Sequence, residues 1–291
     1  MSTVHQRPSL WYAVPAFGFF GLFAALPMVL VLYLSLTSWQ GLETPAFLGL
    51  ENWSRLLTDP AARESLGLTV LFTALAWAVQ TPVALLIGVW SAGRQRNRAV
   101  LGSVFFIPLL LSTAAIALLW QSLLNPNFGL PQAVSAFSLP QFLGDPRLAL
   151  YTVVFVVSWQ YIPFHALLYQ GATRAIPTTM YDAAIIDGAS RFSRFRLITL
   201  PQLRYTIVTS SILMVVGSLT TFDTVLILTG GGPGTATRIA PLYMYDTGFV
   251  GFEMGYASTI AVLLLVFGTT VSLIMMRVTR FREMRSQQEG Q

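Results

Sequence analysis

The sequence predicts an all-α integral membrane protein with six transmembrane helices. Three observations predict it. The 291 residues are 54% hydrophobic and only 10% charged, with a mean hydropathy of +0.64, whereas a soluble domain carries about 25% charged residues. Six runs have the ~20 mostly apolar residues that a bilayer crossing needs: roughly 11–36, 66–92, 99–120, 149–171, 205–229 and 256–277. The segments between them are polar or rich in Pro, Gly and Asn. Spans in lipid must satisfy every backbone group internally, so each run reads as a helix.

The elements follow in chain order. Residues 1–10 form a polar head. The run at 11–36 lacks a small-x-small cleavage site and is too long for a signal h-region, so it reads as an uncleaved anchor. FLGLENWSRLLTDP, residues 47–60, has an amphipathic pattern suited to the outer interface. The remaining five runs span 66–277, interrupted by a polar loop at 174–204. The tail, 278–291, is short and polar.

Orientation follows from arginine. With the N-terminus inside, the inner segments hold Arg7, Arg94, Arg96, Arg98, Arg174, Arg191, Arg194, Arg196, Arg204, Arg277, Arg280, Arg282 and Arg285. The outer segments hold Arg55, Arg63, Arg147 and Arg238. Thirteen against four places both termini in the cytoplasm. The same bias accounts for a pI near 9.8 without nucleic acid as a partner.

Composition excludes several chemistries. There is no Cys, hence no disulfide and no Cys-ligated metal or cluster. All 17 basic residues are Arg. A P-loop requires Lys, so an ATP site of that type cannot lie on this chain. The Lys-free, Ala- and Arg-rich composition points to a GC-rich bacterial genome. Only His5 and His165 could serve a catalytic triad, and no paired carboxylates present themselves. The sequence therefore offers no catalytic, cofactor-binding or metal-ligating set.

One loop is unlike the rest: DAAIIDGASRFSRFRLITLP, residues 182–201. Thr179 and Asp182 have capping-box spacing, and Asp182 in a first turn suits the positive end of the helix dipole. Gly188 can end a helix in a left-handed conformation. The pattern predicts a short helix over about 179–187 whose small Ala183 and Ala184 permit close approach of another surface. On physics alone the segment reads equally as a connector carrying positive-inside arginines.

The full spacing goes further. Asp182-Ala183-Ala184, three residues, Gly188, nine residues, then Ile198-Thr199-Leu200-Pro201 resembles the EAA loop of ABC importer permeases, with Asp182 where that pattern has Glu. The resemblance implies that Asp182, Ala183, Ala184, Asp187 and Gly188 belong to a coupling helix docking in a groove of a separate cytoplasmic ATPase. FDTVLILTGGGPGTATRIAPLYMYDTGF, residues 222–249, is similar to the end of helix five and the next outer loop in carbohydrate permeases of the maltose and glycerol-3-phosphate type. Within these it resembles the subunit class bearing T-G-G-G-P. LGLENWSRLLTDP resembles a third segment of that family, the one after helix one. The implied fold is the type I importer permease (MetI-like) fold. The implied partners are a second homologous permease, two ATPase subunits, an extracytoplasmic solute-binding protein, a carbohydrate substrate and membrane lipid, all at the bacterial cell membrane.

Substrate-pathway candidates come from polar residues inside spans. Asp223 is the only acid expected within one, and an Asp at mid-membrane costs about 2.5–3.5 kcal/mol. Such residues face a bundle interior or wet cavity and are functional by default; a structural hydrogen bond to a neighbouring helix is the competing explanation. Thr220 precedes Asp223 by one helical turn, Phe222 is adjacent, and Gly217, Thr221 and Thr224 form a neighbouring stripe. Helix five lines the central cavity in related sugar permeases, which carries a substrate role onto Thr220, Phe222 and Asp223. Tyr161, His165 and Tyr169 recur every four residues and share a helix face. Gln80, Gln121 and Gln160 suit pore lining or helix bridging. The glycine run 230–234 has no Lys and reads as a tight outer turn, not a phosphate cradle.

Two other function classes compete. An ATP-independent secondary transporter needs coupling ionisable groups and often an inverted repeat, and the sequence shows one buried acid and no repeat. A membrane enzyme lacks its catalytic groups here.

Overall fold

A computed structural model of the chain describes residues 10–93, 102, 104–133 and 139–278. Residues 1–9, most of the tail, His5, Arg7, Arg94, Arg96, Arg98, Arg280, Arg282, Arg285 and the start of the expected span at 99 lie outside the described residues. Contacts divide the chain into two compact units: Met1–Pro60 with Met244–Leu265, and Ala61–Tyr243 with Val266–Gln291.

The first unit begins with α1, Trp11–Leu34, which contains one π-helical turn at Gly21–Ala25. Its apolar window is wholly unburied within this chain. A two-residue antiparallel pair follows, β1 (Thr37–Ser38) with β2 (Ala46–Phe47). The expected amphipathic segment forms α2, Glu51–Thr58. Asn52 is buried and donates from Nδ2 to the carbonyls of Ser35 at 3.1 Å and Thr37 at 2.9 Å. Thr259 Oγ1 also donates to the Ser35 carbonyl, at 3.1 Å. A Cβ on Gly255 would collide with the Thr37 carbonyl, so glycine is what lets the last helix, α13 (Met254–Val278), meet this strand. Arg55 and Glu253 pair at 2.7 Å, Arg55 stacks over the Tyr256 ring, and Tyr256 donates its hydroxyl to Asp59 Oδ2 at 2.7 Å.

The second unit is built on α3 (Pro60–Ser91) and α7 (Ala149–Arg174). At about 1.5 Å per residue, the 32 residues of α3 reach ~48 Å, well beyond the ~30 Å hydrocarbon core. The helix therefore starts earlier than the hydropathy onset at 66 and carries Arg63 and Glu64 on its polar first turns. Pro82 and Pro163 lie within these helices without ending them. The two helices meet closely because of Gly88: a Cβ there would sit 2.6 Å from the Ala166 carbonyl oxygen and from Tyr169 Cβ. Small residues allow this approach where lipid removes the hydrophobic drive for association. Ala84, Leu85, Ile162, Ala166, Tyr169 and Leu203 form the core around the contact.

Between α3 and α7 come α4 (Ile107–Leu110), α5 (Thr113–Leu123) and the single turn α6 (Leu130–Ala133). The third apolar run is thus not one helix in its described part. Leu111 and Ser112 are extended, and Ser112 caps α5 by accepting from the Ala115 amide at 3.2 Å. That bond satisfies an amide the helix cannot pair itself.

After α7 come α8 (Thr178–Ile186), then α9 (Arg191–Gln202) and α10 (Arg204–Thr220), which are bent by 66° at Leu203. The short α11 (Asp223–Leu228) and α12 (Ala240–Tyr245) precede α13. Among the described residues four helices are long and apolar enough to cross a membrane, α1, α3, α7 and α13, or five if the bent pair is one span. The architecture is mostly helical, as expected, and six crossings are not established by these helices. The fifth run is also not continuous. Thr221 is extended (φ −68, ψ 106) and separates α10 from α11.

Candidate functional site

Five substrate-pathway candidates fall around one cavity of about 320 Å³ inside the second unit: Tyr161, His165, Thr220, Phe222 and Asp223. Helix α7 supplies Val157, Tyr161, Phe164 and His165. The end of α10 and the break after it supply Thr220, Thr221 and Phe222, and Asp223 opens α11. Gln80 from α3 and Leu109 and Thr113 from the broken third run complete the wall. The helical-periodicity argument linking Thr220 to Asp223 does not hold, because the helix ends between them. The break itself brings both to the cavity: it frees the chain to turn and leaves Asp223 in a first turn, where a negative charge is favoured.

The chemistry of the walls is mixed. His165 is buried and its Nδ1 lies 2.9 Å from Ser210 Oγ on α10. Thr220 and Thr221 donate their hydroxyls back to the Gly217 carbonyl at 3.0 and 2.9 Å, which leaves their oxygens as acceptors. Asp223 is exposed to the cavity, and its carboxylate supplies acceptors only. Tyr161 and Phe222 supply ring faces. Such a wall can accept and donate hydrogen bonds to hydroxyls while stacking on an apolar ring face.

The glutamines divide by role. Gln80 is buried and lines the cavity. Gln160 donates to Thr113 Oγ1 at 3.3 Å, and Gln121 bridges to the Ile227 carbonyl at 2.7 Å. Ser210, Ser218 and Met214 also serve the site. Sequence reasoning passed over them, because small hydroxyls and Met on an apolar helix look the same whether they pack or line. Their one advance signal was spacing: 210, 214 and 218 share a helical face with Gly217.

The loop candidates form a separate surface. Asp182, Ala183 and Ala184 lie on α8, and Asp187 and Gly188 end it. The capping box is not made. Pro177 occupies the N-cap with ψ 130, so Thr179 stands inside the first turn and Asp182 a turn further on. Gly188 does adopt the left-handed conformation (φ 74), and the Ala189 amide returns to the Ala184 carbonyl at 2.8 Å, as a Schellman-type end requires. No residue of α8 is buried, and Ile186 is 86% exposed.

The glycine run is a closed turn. Gly230, Gly231 and Gly234 have positive φ. Thr229 Oγ1 and Thr237 Oγ1 lie 2.7 Å apart, and Thr237 donates to the Gly232 carbonyl at 2.8 Å.

Comparison with known proteins agrees with this architecture. Residues 84–283 match the family described as binding-protein-dependent transport system inner membrane component. The chain is 33% identical over 274 residues to the "Probable ABC transporter permease protein YurN" of Bacillus subtilis (strain 168), covering 91% of this chain and 94% of that one. It is 33% identical over 239 residues to the trehalose/maltose transport system permease protein MalF of Thermococcus litoralis, covering 81% of each. Among solved structures it matches a chain of the bacterial alginate ABC transporter in complex with alginate pentasaccharide-bound periplasmic protein, with a TM-score of 0.81 at 21% identity over 93% of this chain and 94% of that one. The chain belongs to the family of binding-protein-dependent transport system inner membrane components. It is a membrane-spanning ABC transporter permease with the MetI-like permease fold.

Proposed function

We propose that this permease forms half of the translocation pathway of a carbohydrate importer, with the cavity bounded by Tyr161, His165, Thr220, Phe222 and Asp223 as its sugar-facing wall. The observation that carries the reading is the meeting of an acceptor carboxylate, hydroxyls and aromatic faces around one cavity inside the helical unit. Relatives named for trehalose/maltose and multiple-sugar transport support the substrate class. A secondary transporter is disfavoured by family membership.

The partners follow from the same reading. A second homologous permease completes the pathway, a solute-binding protein delivers sugar from outside, and two ATPase subunits dock on α8 through Asp182, Ala183, Ala184, Asp187 and Gly188. ATP hydrolysis lies on those subunits, consistent with a chain that has no Lys for a P-loop. The broken third run supplies the sixth crossing, and residues 66–277 constitute the permease core.

The substrate test is Asp223→Asn, which preserves size but removes the charge. A hydrogen bond to a charged group is worth about 1.5–3 kcal/mol, so transport by the assembled complex falls about tenfold or more while basal ATP hydrolysis persists. Normal transport would remove Asp223 from the sugar wall. Failure to assemble would make it a packing residue.

Both termini are cytoplasmic in this reading, on the thirteen-to-four arginine distribution. Because the chain has no Cys, Asn127→Cys provides a clean probe. It reacts with an impermeant thiol reagent in intact cells. Protection of an expressed Asn127→Cys chain would reverse the orientation.

A further inference from the structure

A second recess, of about 750 Å³, lies where α3 and α7 end, against α8 and α9. Arg174, Arg191 and Arg194 line it, together with the hydroxyls of Thr178, Tyr181 and Thr199. No acid lines it among the described residues, and none of the three guanidinium groups is paired with an acid there. Arg194 buries its Nε without a hydrogen-bond partner. A buried guanidinium donor without an acceptor is costly, so the recess holds a standing demand for an anion. Arg174 only leans on the carbonyls of Ser91 and Ala92, at 3.4 Å each. Tyr181 and Thr199 share a hydrogen bond of 2.9 Å, and Thr199 Oγ1 reaches the Arg194 carbonyl at 3.5 Å, so these hydroxyls offer an anion little and the arginines carry the recognition.

Position says how the anion arrives. The recess is formed at the ends of two long apolar helices, α3 at Ser91 and α7 at Arg174. Beside it, α9 exposes Phe192 and Leu197, apolar groups suited to contact with acyl chains. Basic pockets between transmembrane helices are suited to anionic headgroups, and arginine forks match phosphate oxygens bidentately. We propose that this recess is a phosphate-binding site, filled by the headgroup of an anionic phospholipid and placed so that lipid occupancy steadies the base of α8. The proposal is independent of which sugar is carried.

Native mass spectrometry of the delipidated full complex tests it, with phosphatidylglycerol and phosphatidylcholine as probes and inorganic phosphate as competitor. Phosphatidylglycerol binds selectively. Each lost guanidinium contact weakens it about tenfold, so Arg191→Gln/Arg194→Gln loses binding and single Arg191→Gln loses part of it. The surface control Arg147→Gln binds as the parent does. Competition by millimolar inorganic phosphate supports the phosphate site and makes soluble phosphate its source, whereas resistance to it supports the lipid. Equal binding of both lipids, or undiminished phosphatidylglycerol binding by Arg191→Gln and by the double variant, overturns the proposal. So does loss of the ATPase subunits with lipid binding intact, since the arginines would then pair with acids of that partner.

Discussion

The glycine turn around Thr229–Arg238 and the loop carrying α8 are the two segments with the strongest sequence signatures, and they are held in opposite ways. The glycine turn closes on itself. Thr237 is fully buried, its hydroxyl joins Thr229 and the Gly232 carbonyl, and its amide donates to the Gly231 carbonyl at 3.1 Å. A Cβ on Gly231 would lie 3.1 Å from Leu242 Cδ2, so packing also fixes the turn. In contrast, α8 buries nothing. Tyr181 is its one residue with a side-chain hydrogen bond among the described residues, and Ile185 and Ile186 stand in solvent. The first signature encodes a shape that the chain completes alone. The second encodes a helix whose apolar groups this chain leaves uncovered.

The largest effect expected from this difference is on coupling. Gly188 sits at φ 74, and a Cβ there would meet nothing within 4 Å. Gly188→Trp therefore meets no steric obstacle within the chain, only the left-handed backbone penalty of about 1–2 kcal/mol. The protein folds and inserts, but the indole blocks the face on which the ATPase is proposed to dock, and substrate-stimulated ATP hydrolysis is abolished. Gly188→Ala carries the same backbone penalty without the bulk and retains much of the stimulation. Unchanged stimulation in Gly188→Trp would sink the docking role. Equal loss in both variants would assign the effect to backbone strain.

The same contrast explains what could be read in advance. The spacing from Asp182 to Pro201 predicted a short helix and its glycine end, because capping rules are local and Gly188 alone in that loop can take positive φ cheaply. The cap was misplaced by two residues, since Pro177 took the N-cap that Thr179 was expected to hold. Hydropathy found the long helices α1, α3, α7 and α13. It could not find the breaks at Leu111–Ser112 and Thr221–Phe222, where no Pro or Gly interrupts an apolar run. The second break lines the cavity through Thr221 and Phe222, where its backbone need not face lipid, and the first is flanked by the cavity residues Leu109 and Thr113. They are also what admits Asp223 to the cavity wall. The candidate residues were thus legible as polar groups in spans, while the geometry that gathers them was not.

A smaller effect, on stability, separates the two loops directly. The oxygens of Thr229 and Thr237 carry two hydroxyl protons for three contacts: to each other, to the Val225 carbonyl at 3.0 Å and to the Gly232 carbonyl at 2.8 Å. Whichever way the protons point, Thr237 links Thr229 to the turn. Thr237→Val keeps the volume and removes only the hydroxyl, so no cavity contributes. Leaving those buried partners unsatisfied costs about 1–3 kcal/mol, which lowers the melting temperature of the purified protein by roughly 3–10 °C. Thr179→Val on α8 is the matched control. Thr179 is exposed and its hydroxyl makes no hydrogen bond among the described residues, so its loss shifts stability by less than about 0.5 kcal/mol. Thermal unfolding of the two variants beside the parent measures the difference. Equal melting temperatures would mean that the glycine turn does not hold itself, and that it too depends on a partner to close it.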